Sequence, residues 1–449
     1  MNSELWQTII AFDLDHPISA YGFSTRLASE QGWTINFTQA AILEYKKFMF
    51  LAASYERMVA PSEIVDTVWH QHLIFTQSYQ NFCTLLGKQI QHIPSTHRKE
   101  EAVKFKQAIL TTKQLYDKHF GEPPASIWFY SNMYNCLNLR KNRLGMPFII
   151  SLSLLLFLGL IYPCYVLLYP IYIKIDNPDF LLFYIAFIVS ALIALEILNR
   201  SKLRQMVRQF DRKSFLFHLH PLEMIYLKNQ KLTDVIHGVV NPLIVKGFIS
   251  IHKDNTIEKI QDFTPATPEE YQTQEVFDHL GKTYYPNVIK ELVKKPVFMN
   301  IAKSMDGFKI HFNTSSKFLN LFCLNLFLFL ILLMPGIIRL LSGYFRGLPI
   351  AYILLTVIVM FFLLVSYFQR LMNLMCIHTL PSIYRKEVLP AQASEMNWLW
   401  RFFLSGNTIL AFSFIQLVNY VDKNSGSGGD GGTSCGSSCG SSCGGCGGD

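Results

Sequence analysis

Phe148-Ile-Ile-Ser-Leu-Ser-Leu-Leu-Leu-Phe-Leu-Gly-Leu-Ile-Tyr-Pro163-Cys-Tyr-Val-Leu-Leu-Tyr-Pro170-Ile-Tyr-Ile173 carries no charge along its whole length. A bilayer core takes about 20 apolar residues per helix, so this stretch predicts a membrane span. Pro163 and Pro170 are tolerated where neighbouring helices re-satisfy the freed carbonyls. After the polar loop Lys174-Ile-Asp-Asn-Pro-Asp179, a second apolar run covers 180–198 and is interrupted only by Glu196. A second pair, 318–338 and 349–368, is joined by a loop carrying Arg339 and Arg346. Each pair reads as a helical hairpin, 146–199 and 318–369. Segment 398–421 opens with Trp398-Leu-Trp-Arg401 and is interrupted by Ser405-Gly-Asn407. It reads either as a fifth span or as a helix lying in the interface.

Composition points the same way. Of 449 residues, 50% are hydrophobic and 16% charged, against about 25% charged in an ordinary soluble domain. A wholly soluble protein is therefore not expected. Lys and Arg gather outside the hairpin loops. Arg140, Lys141 and Arg143 precede the first span, and a basic stretch from Arg200 to Lys213 follows the second. Lys303, Lys309 and Lys317 precede the third, and Arg370, Arg385 and Lys386 follow the fourth. This bias predicts an inner-membrane, multi-pass protein with both ends of the four-span core, and the segment between the hairpins, in the cytoplasm. The formal charge of +8 is then a topology signal, and no nucleic-acid partner is expected. Met1-Asn-Ser-Glu-Leu-Trp, with Asp13 and Asp15 soon after, lacks the pattern of a secretory signal.

Residues 1–135 are soluble in composition. Apolar residues at three and four spacing predict helices over 37–53 and 61–86, with 100–120 a charged amphipathic stretch and Ser62 an N-cap. Gly121-Glu-Pro-Pro-Ala closes the region as a turn. Within it, Asp66-Thr-Val-Trp69-His70-Gln-His72 followed by Cys83 and His92 invites a zinc reading. At about 100° per residue, His72 and His70 point to opposite sides of a regular helix, and about 16 Å separates His72 from Cys83 along one. Three readings follow. His72 is a buried, hydrogen-bonded core histidine; or a metal site uses His72 or His70 with His92, His16 or Asp66; or the groove is catalytic. Asp66 and His70, four apart, can pair. The metal set under this reading is Asp66, His70, His72 and His92, holding zinc or another soft metal.

A resemblance accompanies these residues. The string Leu5-Trp6, Phe12-Asp-Leu-Asp15, Phe23-Ser, Arg26-Leu-Ala, Gly32-Trp33, Glu44-Tyr-Lys46 and Phe50-Leu51 continues through Pro61-Ser, Val65-Asp66, Val68-Trp69-His70, His72-Leu73, Tyr79, Phe82-Cys83 and His92. It ends at Tyr116, Phe120-Gly-Glu-Pro-Pro-Ala and Ile127-Trp128. Over residues 4–129 it resembles bacterial glycine-rich domain-containing proteins. The resemblance implies an all-helical module of unassigned activity, with no catalytic residues to carry over.

Between the hairpins, 200–316, Pro221 opens a short helix, and a second helical pattern over 231–248 is broken near Asn241-Pro242 and ends at Gly247. Ile249 to Ile260 alternates around Lys253-Asp-Asn-Thr256, a β-hairpin signature. Helix, helix and hairpin outline a winged-helix-like domain, with further helices over 269–279 and 288–294 and a strand at Phe308-Lys-Ile-His-Phe312. The second helix carries few basic residues, so protein interaction is expected rather than DNA. With Pro221, Glu223, Leu227 and Leu243, Gly247-Phe248-Ile249, this part resembles an uncharacterised bacterial multi-pass membrane family with a Cys/Gly-rich tail, spanning 145–449. The fold class is mainly α: a helical soluble domain, membrane hairpins, a winged-helix-like α+β domain and a linker over 370–397.

The tail, 422–449, repeats Cys435-Gly-Ser-Ser, Cys439-Gly-Ser-Ser, Cys443-Gly-Gly and Cys446-Gly-Gly. With no apolar side chain after Ser425, it is expected to be disordered. Its thiols are also spaced to converge on a soft metal, to form disulfides or carry lipid, or to undergo backbone modification. The function expected is that of a non-enzymatic membrane scaffold or assembly factor whose partners are the bilayer and proteins. The alternatives are a metal-dependent enzyme or sensor, and export or maturation of the tail.

Overall fold

The computed structural model describes residues 3–93, 99–175, 177–391 and 396–425, so the tail cysteines lie outside the described residues. The chain is mainly helical. α1 (Ser3–Ala11), α2 (Phe23–Gln31), α3 (Ile35–Ser54), α4 (Glu63–Ile74), α5 (Thr76–Leu86), α6 (Lys99–Phe120) and α7 (Ala125–Trp128) build the N-terminal part. Ser62 caps α4 by accepting from the Val65 N–H at 3.2 Å. The helix expected over 61–86 is two helices, parted at Phe75 (φ −85°, ψ 63°). Both halves keep their apolar stripe inward, and so the stripe does not betray the break.

Four long apolar helices follow: α8 (Met146–Tyr172) and α9 (Asn177–Arg208), then α15 (Ser316–Phe345) and α16 (Ala351–Leu374). Each is long and apolar enough to cross a membrane and compatible with a multi-pass membrane protein. Between the pairs lie α10 (Pro221–Asn229), α11 (Leu232–Val245), β1 (Ile249–Ile251), β2 (Thr256–Lys259), α12 (Pro268–Leu280), β3 (Thr283–Tyr284), α13 (Tyr285–Leu292) and α14 (Pro296–Asn313). The antiparallel sheet has order β1-β2-β3, with Ser250 opposite Glu258 and Ile257 opposite Thr283. α11 runs on through Pro242, and the strand expected at 308–312 is helix. Phe308 and Phe312, four apart, are buried with Met305, while Ile310 is exposed. The helical period wins over the alternation.

The 370–397 stretch, expected as a linker, stays helical to Ala391 through two wide π turns. It buries Met375, Leu380, Ile383 and Tyr384. The C-terminal pair, Trp398–Ser405 and Phe412–Ser425, is bent by 76° between Trp398–Ile409 and Phe412–Val421. It packs on α10 and α11. Trp398 Nε1 donates to the Gly238 carbonyl at 3.0 Å, Lys228 Nζ to that of Phe403 at 2.7 Å, and the Ala411 N–H to Asn241 Oδ1 at 2.8 Å.

Two apolar cores result. The larger runs unbroken from Ile9 to Val418 and joins the N-terminal helices, the 200–316 region and the C-terminal pair into one body. Leu137 before α8, Leu203 and Val207 in α9, Phe318 and Phe322 in α15 and Leu371 in α16 all belong to it. Both hairpins therefore spring from this body by their open ends. The smaller core, with Phe157, Tyr184, Ile188, Phe329, Leu332 and Met360, lies among the four long helices. There Tyr184 donates to the Leu332 carbonyl at 2.8 Å, and Asn199, Asn325 and Tyr367 bond one another across α9, α15 and α16 at 2.6–3.3 Å. At the far end Arg339 donates to the carbonyls of Tyr172 and Ile175 and lies over the Phe180 ring.

Candidate metal centre

Helix geometry puts Asp66 and His70 one turn apart on the same face of α4, and Asp66 Oδ2 lies 3.4 Å from His70 Nε2. What brings a third donor is the end of α5. Gly87 adopts φ +67°, a left-handed conformation natural to glycine at a helix C-terminus, and the chain turns back along α4. The return is pinned twice. Tyr79 accepts from Trp69 Nε1 at 3.1 Å and donates to the Ile90 carbonyl at 2.5 Å, and Lys88 Nζ donates to the carbonyls of Ala52 and Tyr55. His92 then reaches Asp66 Oδ1 at 2.9 Å. Its ring stands edge-on to Trp69 at 4.6 Å and 4.4 Å from the His70 ring.

One donor atom from each of Asp66, His70 and His92 lies within 4.8 Å of the other two. Bonds of about 2.0–2.1 Å in a tetrahedron place donors about 3.3 Å apart, so small side-chain rotations bring these three onto one ion. Two imidazoles and a carboxylate suit zinc with a fourth position open, or ferrous iron. The side chains are 36%, 59% and 15% exposed, in chain order. The open side therefore faces solvent past His70. Asp66 and His92 also line a groove of ≈ 560 Å³ with Glu63, Trp69, Arg57 and Lys88, room enough for a small molecule.

His72 stands apart from this set. It is fully buried, with Nδ1 2.8 Å from the Tyr45 hydroxyl and Nε2 3.1 Å from Ser78 Oγ. Burial pulls its pKa down to about 4, so it is neutral and committed to the core. His16 is exposed and does not join the cluster. The buried Cys83 sits in the core beyond Tyr79.

Two polar hubs had no signal in residue spacing. Glu44, buried, accepts from Tyr116 Oη and Trp128 Nε1, each at 2.6 Å, and from Lys47 Nζ at 2.7 Å, tying α3 to α6 and α7. Glu223, fully buried in α10, accepts from the Ile35 N–H at 2.7 Å and the His220 N–H at 2.8 Å. It caps α3 from across the body, and burial pushes its pKa up to about 7, against the pull of those two N–H groups.

The profile of a family described as UCP032817-like matches residues 25–113, a stretch that contains Asp66, His70 and His92. No curated protein and no solved structure matches the chain.

Proposed function

We propose that this chain is a multi-pass inner-membrane protein whose cytoplasmic body binds one divalent transition ion, zinc before iron, at Asp66, His70 and His92, as a metal sensor or metal-dependent enzyme. The observation that carries this reading is the convergence of the three donors beside an open groove. Four apolar helices springing from one body, with basic residues at their body ends, support the membrane placement and the cytoplasmic side. The helix, helix and hairpin order of α10, α11 and β1-β2 supports a winged-helix-like element, and the motif string supports kinship with glycine-rich domain-containing proteins. The bend in the C-terminal pair and its packing on α10 and α11 favour a clasp over a fifth span. The tail and Cys435, Cys439, Cys443 and Cys446 then share the body's side.

The test is elemental analysis of the purified full chain. About one zinc or iron per chain is expected, lost in His92→Ala and Asp66→Asn and kept in His72→Gln. Equal metal content in the native protein and His92→Ala would refute the site. A second reading, a non-enzymatic scaffold that recruits protein partners, is favoured by Glu44, Tyr116, Trp128, Trp69 and Tyr79. The polar atoms of these members of the motif string are hydrogen-bonded to one another. That reading expects no ion in the native protein.

A further inference from the structure

At the body end of the long helices, α9 and α15 leave a notch of ≈ 360 Å³. Its polar part is lined by Lys202, Gln205 and Gln209 at the end of α9 and by Lys317 and Asn320 from α15, and its apolar part by Met206, Leu321 and Leu324. No acidic side chain lines it. All five polar side chains are exposed. Lys317 Nζ reaches Gln209 Oε1 at 3.2 Å, which holds that ammonium at the rim. Lys202 is four residues past Leu198, about 6 Å along the axis, so the two lysines stand at the level where the apolar stretches end. A second group of charges is fixed at the same level. Lys141 pairs with Ser315 in an isolated bridge, and the Arg140 carbonyl accepts from the Ser316 N–H. The Arg140–Arg143 run is thereby tethered to the start of α15.

We infer that this notch binds the headgroup of an anionic phospholipid. The phosphate oxygens take Lys202 and Lys317, the amides of Gln205 and Asn320 meet the glycerol and ester oxygens, and one acyl chain lies along Leu321 and Leu324. Ammonium groups at the end of a span, beside an apolar floor continuous with it, match an anion that carries a hydrocarbon chain. A free phosphate has no use for the floor. The inference rests on the four helices crossing a bilayer, but not on the metal site.

The test uses the full chain purified in a neutral detergent, with native mass spectrometry reading bound lipid after addition of dioleoyl phosphatidylglycerol, dioleoyl phosphatidylcholine or inorganic phosphate. Retention of one phosphatidylglycerol is expected, with neither phosphatidylcholine nor phosphate retained. In Lys202→Gln/Lys317→Gln affinity should fall about 25-fold, at about fivefold per lysine near the surface. Both positions are exposed, so the variant keeps its fold, which the thermal midpoint checks. Undiminished retention in the variant, equal retention of phosphatidylcholine, or binding of phosphate alone overturns the site. Alkaline carbonate washing of the membranes reads the membrane placement separately. Chain released by that wash overturns the placement and the site together, whereas chain that resists it without lipid retention overturns the site alone.

Discussion

Glu223→Gln tests how the body is held together. The carboxyl is buried between α3 and α10 and accepts two backbone N–H groups, yet burial outweighs them and raises its pKa from 4.5 to about 7. The folded state therefore holds the proton more tightly than the unfolded chain does. The stabilisation is complete below pH 4.5, declines as pH rises and is lost through about pH 7. At 1.36 kcal/mol per unit the whole span is worth about 3 kcal/mol. Other buried groups work in the opposite sense. His72 and His220 have pKa values lowered to about 4 by burial, so their contribution is present above pH 6.5 and fades as pH falls through about 4. Glu269, also buried and raised, and Tyr384 face Glu223 as well. All of these remain in the variant and cancel in the difference. The assay is the thermal midpoint of the full chain in detergent between pH 5 and 8. The native protein should lose several degrees more across this range than Glu223→Gln. Parallel curves for the two proteins would refute the reasoning.

Other outcomes are open to measurement. Glu44→Ala leaves the Tyr116, Trp128 and Lys47 donors without their carboxylate and should cost about 3–5 kcal/mol, read by chemical denaturation. Asn325→Leu breaks the three-helix polar contact with Asn199 and Tyr367 and should cost about 0.6–2 kcal/mol, read by unfolding in mixed micelles. A Cβ at Gly238 would lie 3.1 Å from the Phe402 ring, so Gly238→Ala should loosen the C-terminal pair and speed its proteolysis near residue 398. Native-like cleavage would show that the pair yields without strain. An impermeant thiol reagent should leave Cys435 to Cys446 unlabelled in intact cells and label them after lysis; labelling of intact cells would put the tail on the other side.

The long helices were legible because a charge-free run of bilayer length has few other uses, and the β1-β2 hairpin because its alternation flanks a polar turn. The strand expected at 308–312 failed for a local reason, since Phe-Lys-Ile-His-Phe fits a period of two as well as a turn of helix. The break at Phe75 left no mark, as both helices share an inward stripe. At the candidate metal centre, the pairing of Asp66 with His70 follows from helical spacing. The place of His92 does not, because it depends on the left-handed turn at Gly87 and on the Tyr79 contact with Ile90. Glu223 was invisible as a cap on α3 because its partner, the Ile35 N–H, is 188 residues away and no local pattern records such a distance.

A core that runs from Ile9 to Val418 also sets a schedule for biogenesis. Trp400, Phe402, Phe414 and Val418 supply their apolar surface to this core only after all four long helices have been synthesised. Until then the earlier helices carry faces with nothing to cover them. Closure of the body therefore waits for residues that follow both pairs of long helices, and a chain stalled between the pairs leaves those faces bare. A truncation before residue 398 would be expected to fail in this way even though it removes neither a long apolar helix nor Asp66, His70 or His92.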